Sequence, residues 1–262
     1  MHKQPGPRGR AIFITGASSG IGAALAEAYA EPGVVLGLAA RRTDRLQAVA
    51  RRCRKQGASV HCYTLDVRSA EGARVVAAKF LAVAGRIDLV VANAGIGSWR
   101  HPVGARAEDL TALIDTNVNG VINAVGAFVP ALAEQRSGQI VALSSVAGFR
   151  GLPGGVYSAS KAAVRYLMDG WRIDLRPYGI AVTTVYPGYI ASEMTAGAGT
   201  WYPFLISSDE AAALIRQAVD AKQRTLVLPW QWWLVLPLLK LVPGRAIGWL
   251  IRRRRNDHGA VH

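Results

Sequence analysis

Tyr157 and Lys161 stand four residues apart in the stretch Val156-Tyr157-Ser158-Ala159-Ser160-Lys161. In a helix that spacing places both side chains on one face. A phenol with a pKa near 10 is almost wholly protonated at neutral pH and is a poor base. Bringing it down to about 7 takes roughly 4 kcal/mol of preferential stabilisation of the phenolate. One ammonium about 4 Å away, at an effective dielectric of about 20, supplies energy of that order. Such a pair can give and take a proton in carbonyl and alcohol chemistry. Taken alone, Tyr-x-x-x-Lys is also what an ordinary amphipathic helix shows, so the elements around it decide.

Those elements begin with Ala11-Ile12-Phe13-Ile14-Thr15, a short apolar run that reads as a buried parallel strand. Gly16-Ala17-Ser18-Ser19-Gly20-Ile21-Gly22 follows, and then a helical run from Ala23 to Ala30. Strand, glycine turn and helix form a phosphate cradle: glycines admit the pyrophosphate to the backbone, and the helix start offers unpaired N–H groups and a positive dipole end. The candidate contacts are Gly16, Ser18, Ser19, Gly20 and Ile21. The spacing is Gly-x-x-x-Gly-x-Gly, different from the usual dinucleotide fingerprint.

Val34–Ala40 reads as the second strand, and Arg41 and Arg42 follow it. An NAD-binding chain places an acid here to hold the ribose 2′-hydroxyl. A guanidinium fork suits a 2′-phosphate instead, and hydrogen bonds to charged groups contribute about 1.5–3 kcal/mol each. The expected cofactor is therefore NADP(H), with Arg41 the first contact; the plain alternative is a pair of surface arginines opening a helix.

Ser59–Leu65 is the third strand, ending in Asp66-Val67, where an adenine edge is held or where Asp66 serves a turn or helix cap. After a helix near Ala70–Val83, Arg86–Ala92 forms the next strand and ends in Asn93-Ala94-Gly95. Small residues there suit a cofactor crevice, and Asn93 also ties neighbouring strands. Ala107–Leu132 reads as one long helix in which Asn117 marks a local kink and a bound water. Gln139–Leu143 ends in Ser144-Ser145, a glycine-rich loop delivers Tyr157, and a helix runs to about Arg176. Ile180–Tyr186 ends in Pro187-Gly188-Tyr189-Ile190-Ala191-Ser192. The alternation predicts a single-domain α/β fold: a Rossmann-like, doubly wound parallel sheet of about seven strands with helices on both faces. Ligands bind such sheets outside the strand C-termini, where each of these motifs lies.

The 262 residues are half hydrophobic, which excludes disorder. The formal charge of +14 comes mostly from arginine, in residues 41–55 and in Arg252–Arg255. No aromatics interleave the first block as they would on a nucleic-acid surface, so no nucleic-acid partner is expected. Cys53 and Cys62 suggest neither a disulfide framework nor a metal site. With no signal-like apolar run at the start, a cytoplasmic location is expected.

Taken together and in order, Thr15-Gly16-Ala17-Ser18-Ser19-Gly20-Ile21-Gly22, Asn93-Ala94-Gly95, Asn117, Ser144-Ser145, Tyr157-x-x-x-Lys161 and Pro187-Gly188 resemble the short-chain dehydrogenase/reductase family. The match covers about Ala11 to Leu228. The resemblance implies that Tyr157 exchanges a proton with the substrate oxygen while hydride passes to or from the nicotinamide. Lys161 would hold the ribose hydroxyls and lower the Tyr157 pKa, and Asn117 would fix a water in a proton relay. Ile190 and Ser192 would contact the carboxamide. A serine would bind the carbonyl oxygen. In the family it usually lies thirteen residues before the tyrosine and is the second of the pair; here Ser145 lies twelve before Tyr157 and Ser144 thirteen. Ser145 is the choice, because the strand end fixes that serine and the loop can absorb a deletion. Homodimers or homotetramers are usual in the family.

Residues 1–10 read as a flexible lead-in, 11–228 as the catalytic domain with a substrate loop at 189–207, and 229–262 as a tail. Trp201, Tyr202 and Phe204 make the loop either an apolar lid or simple packing. The tail is rich in tryptophan and leucine and ends in a basic block. Its uncharged stretch Thr225–Leu239 is fifteen residues long, short of the roughly 20 that span a bilayer. It therefore lies at a membrane interface or packs within the chain or on a partner subunit. The expected activity is NADP(H)-dependent oxidoreduction of a lipophilic ketone or secondary alcohol. The rivals are a non-catalytic NADP(H)-binding protein and a membrane-associated scaffold on the same fold.

Overall fold

Strands buried on both faces need unbroken apolar runs, and the chain supplies one between each pair of helices. The computed structural model describes residues 9–97, 104–152, 155–195 and 202–245. In chain order the first half runs β1 (Ala11–Thr15), α1 (Gly20–Ala28), β2 (Val35–Ala40), α2 (Thr43–Lys55), β3 (Ser59–Thr64), α3 (Ala70–Ala84) and β4 (Leu89–Ala92). Then come α4 (Ala107–Ile114), a π-helical turn (Asp115–Asn119), α5 (Gly120–Gly126), α6 (Val129–Gln135) and β5 (Gly138–Leu143). A short 3₁₀ turn (Val146–Phe149) leads to α7 (Val156–Asp174), β6 (Ile180–Pro187), β7 (Ile190–Ala191), β8 (Ile206–Ser207), α8 (Ser208–Asp220), β9 (Thr225–Leu228) and α9 (Trp232–Leu241).

Seven strands form one parallel sheet in the order β3-β2-β1-β4-β5-β6-β9, and β7 pairs with β8 separately. The order reverses between β1 and β4, which opens a crevice above their C-terminal ends. One face of the sheet is covered by a core containing Leu25, Leu46 and Ile215 of α1, α2 and α8. The other face carries Phe80, Val125 and Met168 of α3, α5 and α7. Phe13 of β1 meets Phe80 and Phe128 there, with ring centroids 5.4 and 4.8 Å apart.

Three elements depart from the sequence reading. Residues 86–88 precede β4, although the Asp88 N–H donates to Ala11 O at 2.8 Å and its carbonyl accepts from the Gln139 N–H at 2.9 Å. Asp88 Oδ2 accepts from the Ala11 N–H at 2.8 Å, and the Gln135 side chain bonds both the N–H and the carbonyl of Ile87. The expected single helix over 107–132 is divided into α4, the π turn and α5, and α6 follows after a break. Its apolar side chains face β4, α3 and α7. The glycine-rich loop before Tyr157 contains the 3₁₀ turn, capped where Ser145 Oγ accepts from the Ala147 N–H at 3.1 Å.

Candidate active site

A cleft of about 540 Å³ runs along the C-terminal edge of the sheet. Its lining includes Gly16, Ser18, Ser19, Gly20 and Ile21 from the first turn, Arg41 and Arg42 from the end of β2, and Asp66 and Val67 after β3. Asn93, Ala94 and Gly95 line it from the end of β4, Ser145 from β5, Tyr157 and Lys161 from α7, and Pro187, Gly188, Ile190 and Ser192 from beyond β6. Asn117 alone among the sequence candidates lies outside the lining, fully buried beneath it.

The glycine turn is built for close approach. Gly16 and Gly20 have φ of 67° and 54°, conformations that disfavour a side chain. A Cβ on Gly16 would stand 2.8 Å from Ala94, and one on Gly22 would collide with Asn93 Nδ2 and the Gly16 carbonyl. Asn93 Nδ2 donates to Thr15 O at 2.9 Å and to Gly16 O at 3.2 Å. The Thr15 hydroxyl in turn accepts the Asn93 and Ala94 N–H groups at 3.1 and 3.2 Å. Asn93 thus ties β4 to the glycine turn.

The reactive end is organised by α7. Ser144 Oγ donates to Lys161 O at 2.7 Å, fixing the end of β5 to this helix. Ser145, one residue on, hydrogen-bonds the Tyr157 side chain, and its hydroxyl also donates to Pro187 O at 3.3 Å. Lys161 Nζ lies 5.9 Å from the Tyr157 ring centre and donates to Leu143 O at 3.0 Å. Asn117 Nδ2 donates to Ile96 O and to Ser160 Oγ, both at 3.0 Å, while Oδ1 accepts the Ile96 N–H at 2.8 Å. The kink anticipated at Asn117 is a π-helical turn, a rare form frequent at functional sites. The Asn117 amide joins the loop after β4 to α7.

A sequence family described as short chain dehydrogenase matches residues 10–203. The chain belongs to the short-chain dehydrogenase/reductase family. An uncharacterized oxidoreductase from Myxococcus xanthus is 37% identical over 247 residues, covering 94% of this chain and 98% of the relative. A short-chain dehydrogenase from Sphingobium yanoikuyae in complex with NADPH is 28% identical, with a TM-score of 0.77 over 97% of this chain and 96% of that one. One from Burkholderia phymatum in complex with NAD is 25% identical, with a TM-score of 0.81 over 88% and 92%. Family membership makes the chain an oxidoreductase on a Rossmann-like sheet.

In this short-chain dehydrogenase the charges at the reactive end differ from expectation. Burial raises the Tyr157 pKa, against the pull of its bond with Ser145. Burial also pulls Lys161 down to about 8. In the chain by itself burial is the dominant influence on both groups, and it favours the protonated phenol. Arg68 bonds both carboxylate oxygens of Asp66, from its side chain at 2.6–3.0 Å and its backbone N–H at 3.1 Å, and keeps the carboxyl below the usual range. The helix cap there is Ser69, whose Oγ accepts the Gly72 N–H at 2.9 Å.

Several contacts, made by residues that include members of the expected substrate loop, escaped the sequence reading. Glu193 accepts from Arg42 at 2.7 Å and also pairs with Arg45, bridging the substrate loop to the β2–α2 junction. Met194 of the same loop lies over Gly97, where a Cβ would meet its sulfur at 2.7 Å. Neither has a motif that marks it. Ser160, the Asn117 partner, falls within the Tyr-x-x-x-Lys turn and was legible in principle. Tyr189 and Tyr202 pack with ring centres 4.8 Å apart and planes tilted by 46°. Trp201 lies outside the described residues.

Proposed function

We propose that this oxidoreductase is an NADP(H)-dependent reductase of lipophilic ketones, running in reverse on secondary alcohols. The observation that carries it is the single cleft joining Arg41 and Arg42 at one end to Ser145, Tyr157 and Lys161 at the other. A dinucleotide fits the residues present. The cradle at Gly16, Gly20 and Gly22 is one that Cβ atoms would fill, and the α1 N-terminus faces it without a side-chain cap bond from Ser19. The S. yanoikuyae relative in complex with NADPH supports the choice of cofactor, and the B. phymatum relative in complex with NAD is the reason to test it.

When bound, the nicotinamide supplies or accepts hydride. The residues of this chain do the rest. Ser145 Oγ and the Tyr157 hydroxyl converge on the carbonyl oxygen of the substrate. Tyr157, protonated at neutral pH, gives that oxygen its proton as negative charge develops there. Lys161 holds the ribose hydroxyls, and its ammonium stabilises the phenolate left behind. Asn117 fixes α7 against the loop after β4, and a water held beside Lys161 returns the proton. Arg41 and Arg42 bind the 2′-phosphate, Asp66 and Val67 border the adenine, and Ile190 and Ser192 meet the carboxamide.

In this reading residues 11–228 form the catalytic unit, with 189–207 as the substrate loop. The chain works in the cytoplasm as a homodimer or homotetramer, and its tail, residues 229–262, meets a membrane surface or a partner subunit. The test is NADPH consumption against a panel of apolar ketones. Tyr157→Phe should lower turnover by about 10²–10⁴-fold while leaving NADPH binding within a factor of about two. A Tyr157→Phe variant that turns over like wild type refutes the assignment.

A further inference from the structure

Helix α9 has two apolar stripes, and among the described residues one of them is covered and the other is not. Trp232 and Leu236, one turn apart, are buried against Tyr186 and Val227. On the other side Trp230, Trp233, Leu234, Leu238 and Leu241 are 65%, 51%, 64%, 63% and 80% exposed. Residues 229–239 contain no charged side chain. A soluble surface rarely leaves so continuous an apolar strip to water. Ten residues of helix rise only about 15 Å, half a bilayer core, so this element can lie in an interface and cannot span one.

We propose that this face of α9 docks on an anionic lipid bilayer. Charge selects that occupant. Residues 240–255 contain Lys240, Arg245 and Arg252–Arg255 and no acid. Tryptophan and leucine on one side, followed by a basic run, match an acyl boundary beneath phosphate headgroups. A second copy of the chain is the poorer fit. It brings the same basic run and offers no acid within residues 229–255 to pair with it.

The buried stripe of α9 packs on the substrate loop beside the cleft. Trp232 lies between α9 and the substrate loop, its ring 5.9 Å from Tyr189 and 5.8 Å from Phe204. It also presses on Gly188, where any Cβ would collide with the indole. Phe204, Leu205 and Met194 on that loop are themselves 42%, 47% and 56% exposed. A chain docked through α9 holds this loop close to the acyl boundary, where lipophilic ketones accumulate. This last consequence rests on the reading of the site as a carbonyl reductase; the docking does not.

The test is co-sedimentation of the full chain with phosphatidylcholine vesicles and with mixed phosphatidylcholine–phosphatidylglycerol vesicles, at low and high salt. The wild type should bind the mixed vesicles, with a blue shift of tryptophan emission, and bind phosphatidylcholine weakly. The double variant W233E/L234E, altered only at exposed positions, should lose at least about tenfold in affinity. Replacing Arg252–Arg255 with glutamine should remove the preference for anionic lipid. An unchanged NADPH titration shows that each variant is folded. Failure of the wild type to bind either vesicle overturns the proposal. So does a double variant that binds as before, or a concentration-dependent dimer that the double variant dissolves. A chain that binds vesicles yet reduces no ketone leaves the docking standing and refutes the reading of the site.

Discussion

Arg42, at the end of β2, and Glu193, on the substrate loop, form an ion pair at 2.7 Å across the mouth of the cleft. The same guanidinium reaches Ser19 Oγ at 2.6 Å and Ser18 Oγ at 3.3 Å, so one side chain joins the glycine turn to the loop over the substrate. The Glu193 carboxylate thus occupies a guanidinium assigned to the 2′-phosphate. Removing its charge should favour the phosphate. Glu193→Gln is expected to tighten NADPH by about two- to fivefold, the scale of an exposed ion pair, and to leave NADH almost unchanged. Paired titrations check this; equal shifts for both cofactors would mean that the pair only positions the loop.

The two serines should separate by readout. Ser144 bonds the Lys161 backbone and Ser145 meets Tyr157. Ser145→Ala is expected to lower turnover by about 10²–10³-fold, as loss of an oxyanion donor does. Ser144→Ala should lower stability by about 1 kcal/mol and turnover much less. Denaturant melts and initial rates on the same two variants decide it.

Lys161 is buried as an ammonium, and its pKa is pulled from 10.5 to about 8. Between those values the unfolded chain holds more protons, so stability from this group rises as pH rises from about 8 to 10.5, and the full cost is present below 8. At about 1.4 kcal/mol per unit, that cost is roughly 3 kcal/mol at neutral pH. Lys161→Met removes it and loses the bond to Leu143 O, for a net gain of about 1–2 kcal/mol. The variant should be more stable than wild type at pH 7, should lose that margin by about pH 10, and should be inactive. A margin independent of pH contradicts the assignment.

Much of the sheet was legible because its strands are short apolar runs, several of them ended by a glycine, asparagine or serine motif. The glycine turn, Asn93, the serine pair and Tyr157-x-x-x-Lys161 marked the strand ends, and the structure brings them to one cleft. What could not be read lies in contacts between distant residues. The start of β4 was misjudged because the Gln135 side chain, distant in sequence, takes both backbone groups of Ile87. The kink at Asn117 was legible, but its π form was not, since the bonds from Asn117 run to the distant Ile96 and Ser160. Glu193 looked like any loop acid until folding placed it beside Arg42 and Arg45. The direction of the Tyr157 shift depends on how deeply α7 is covered, which spacing alone does not encode.

The most direct measurement is a binding titration of NADPH and NADH against the purified chain, with Arg41→Ala in parallel. The account predicts that NADPH binds at least about tenfold tighter than NADH, and that Arg41→Ala removes most of this preference. Equal binding of the two cofactors would contradict the arginine assignment, and binding of neither would contradict the catalytic reading of the cleft.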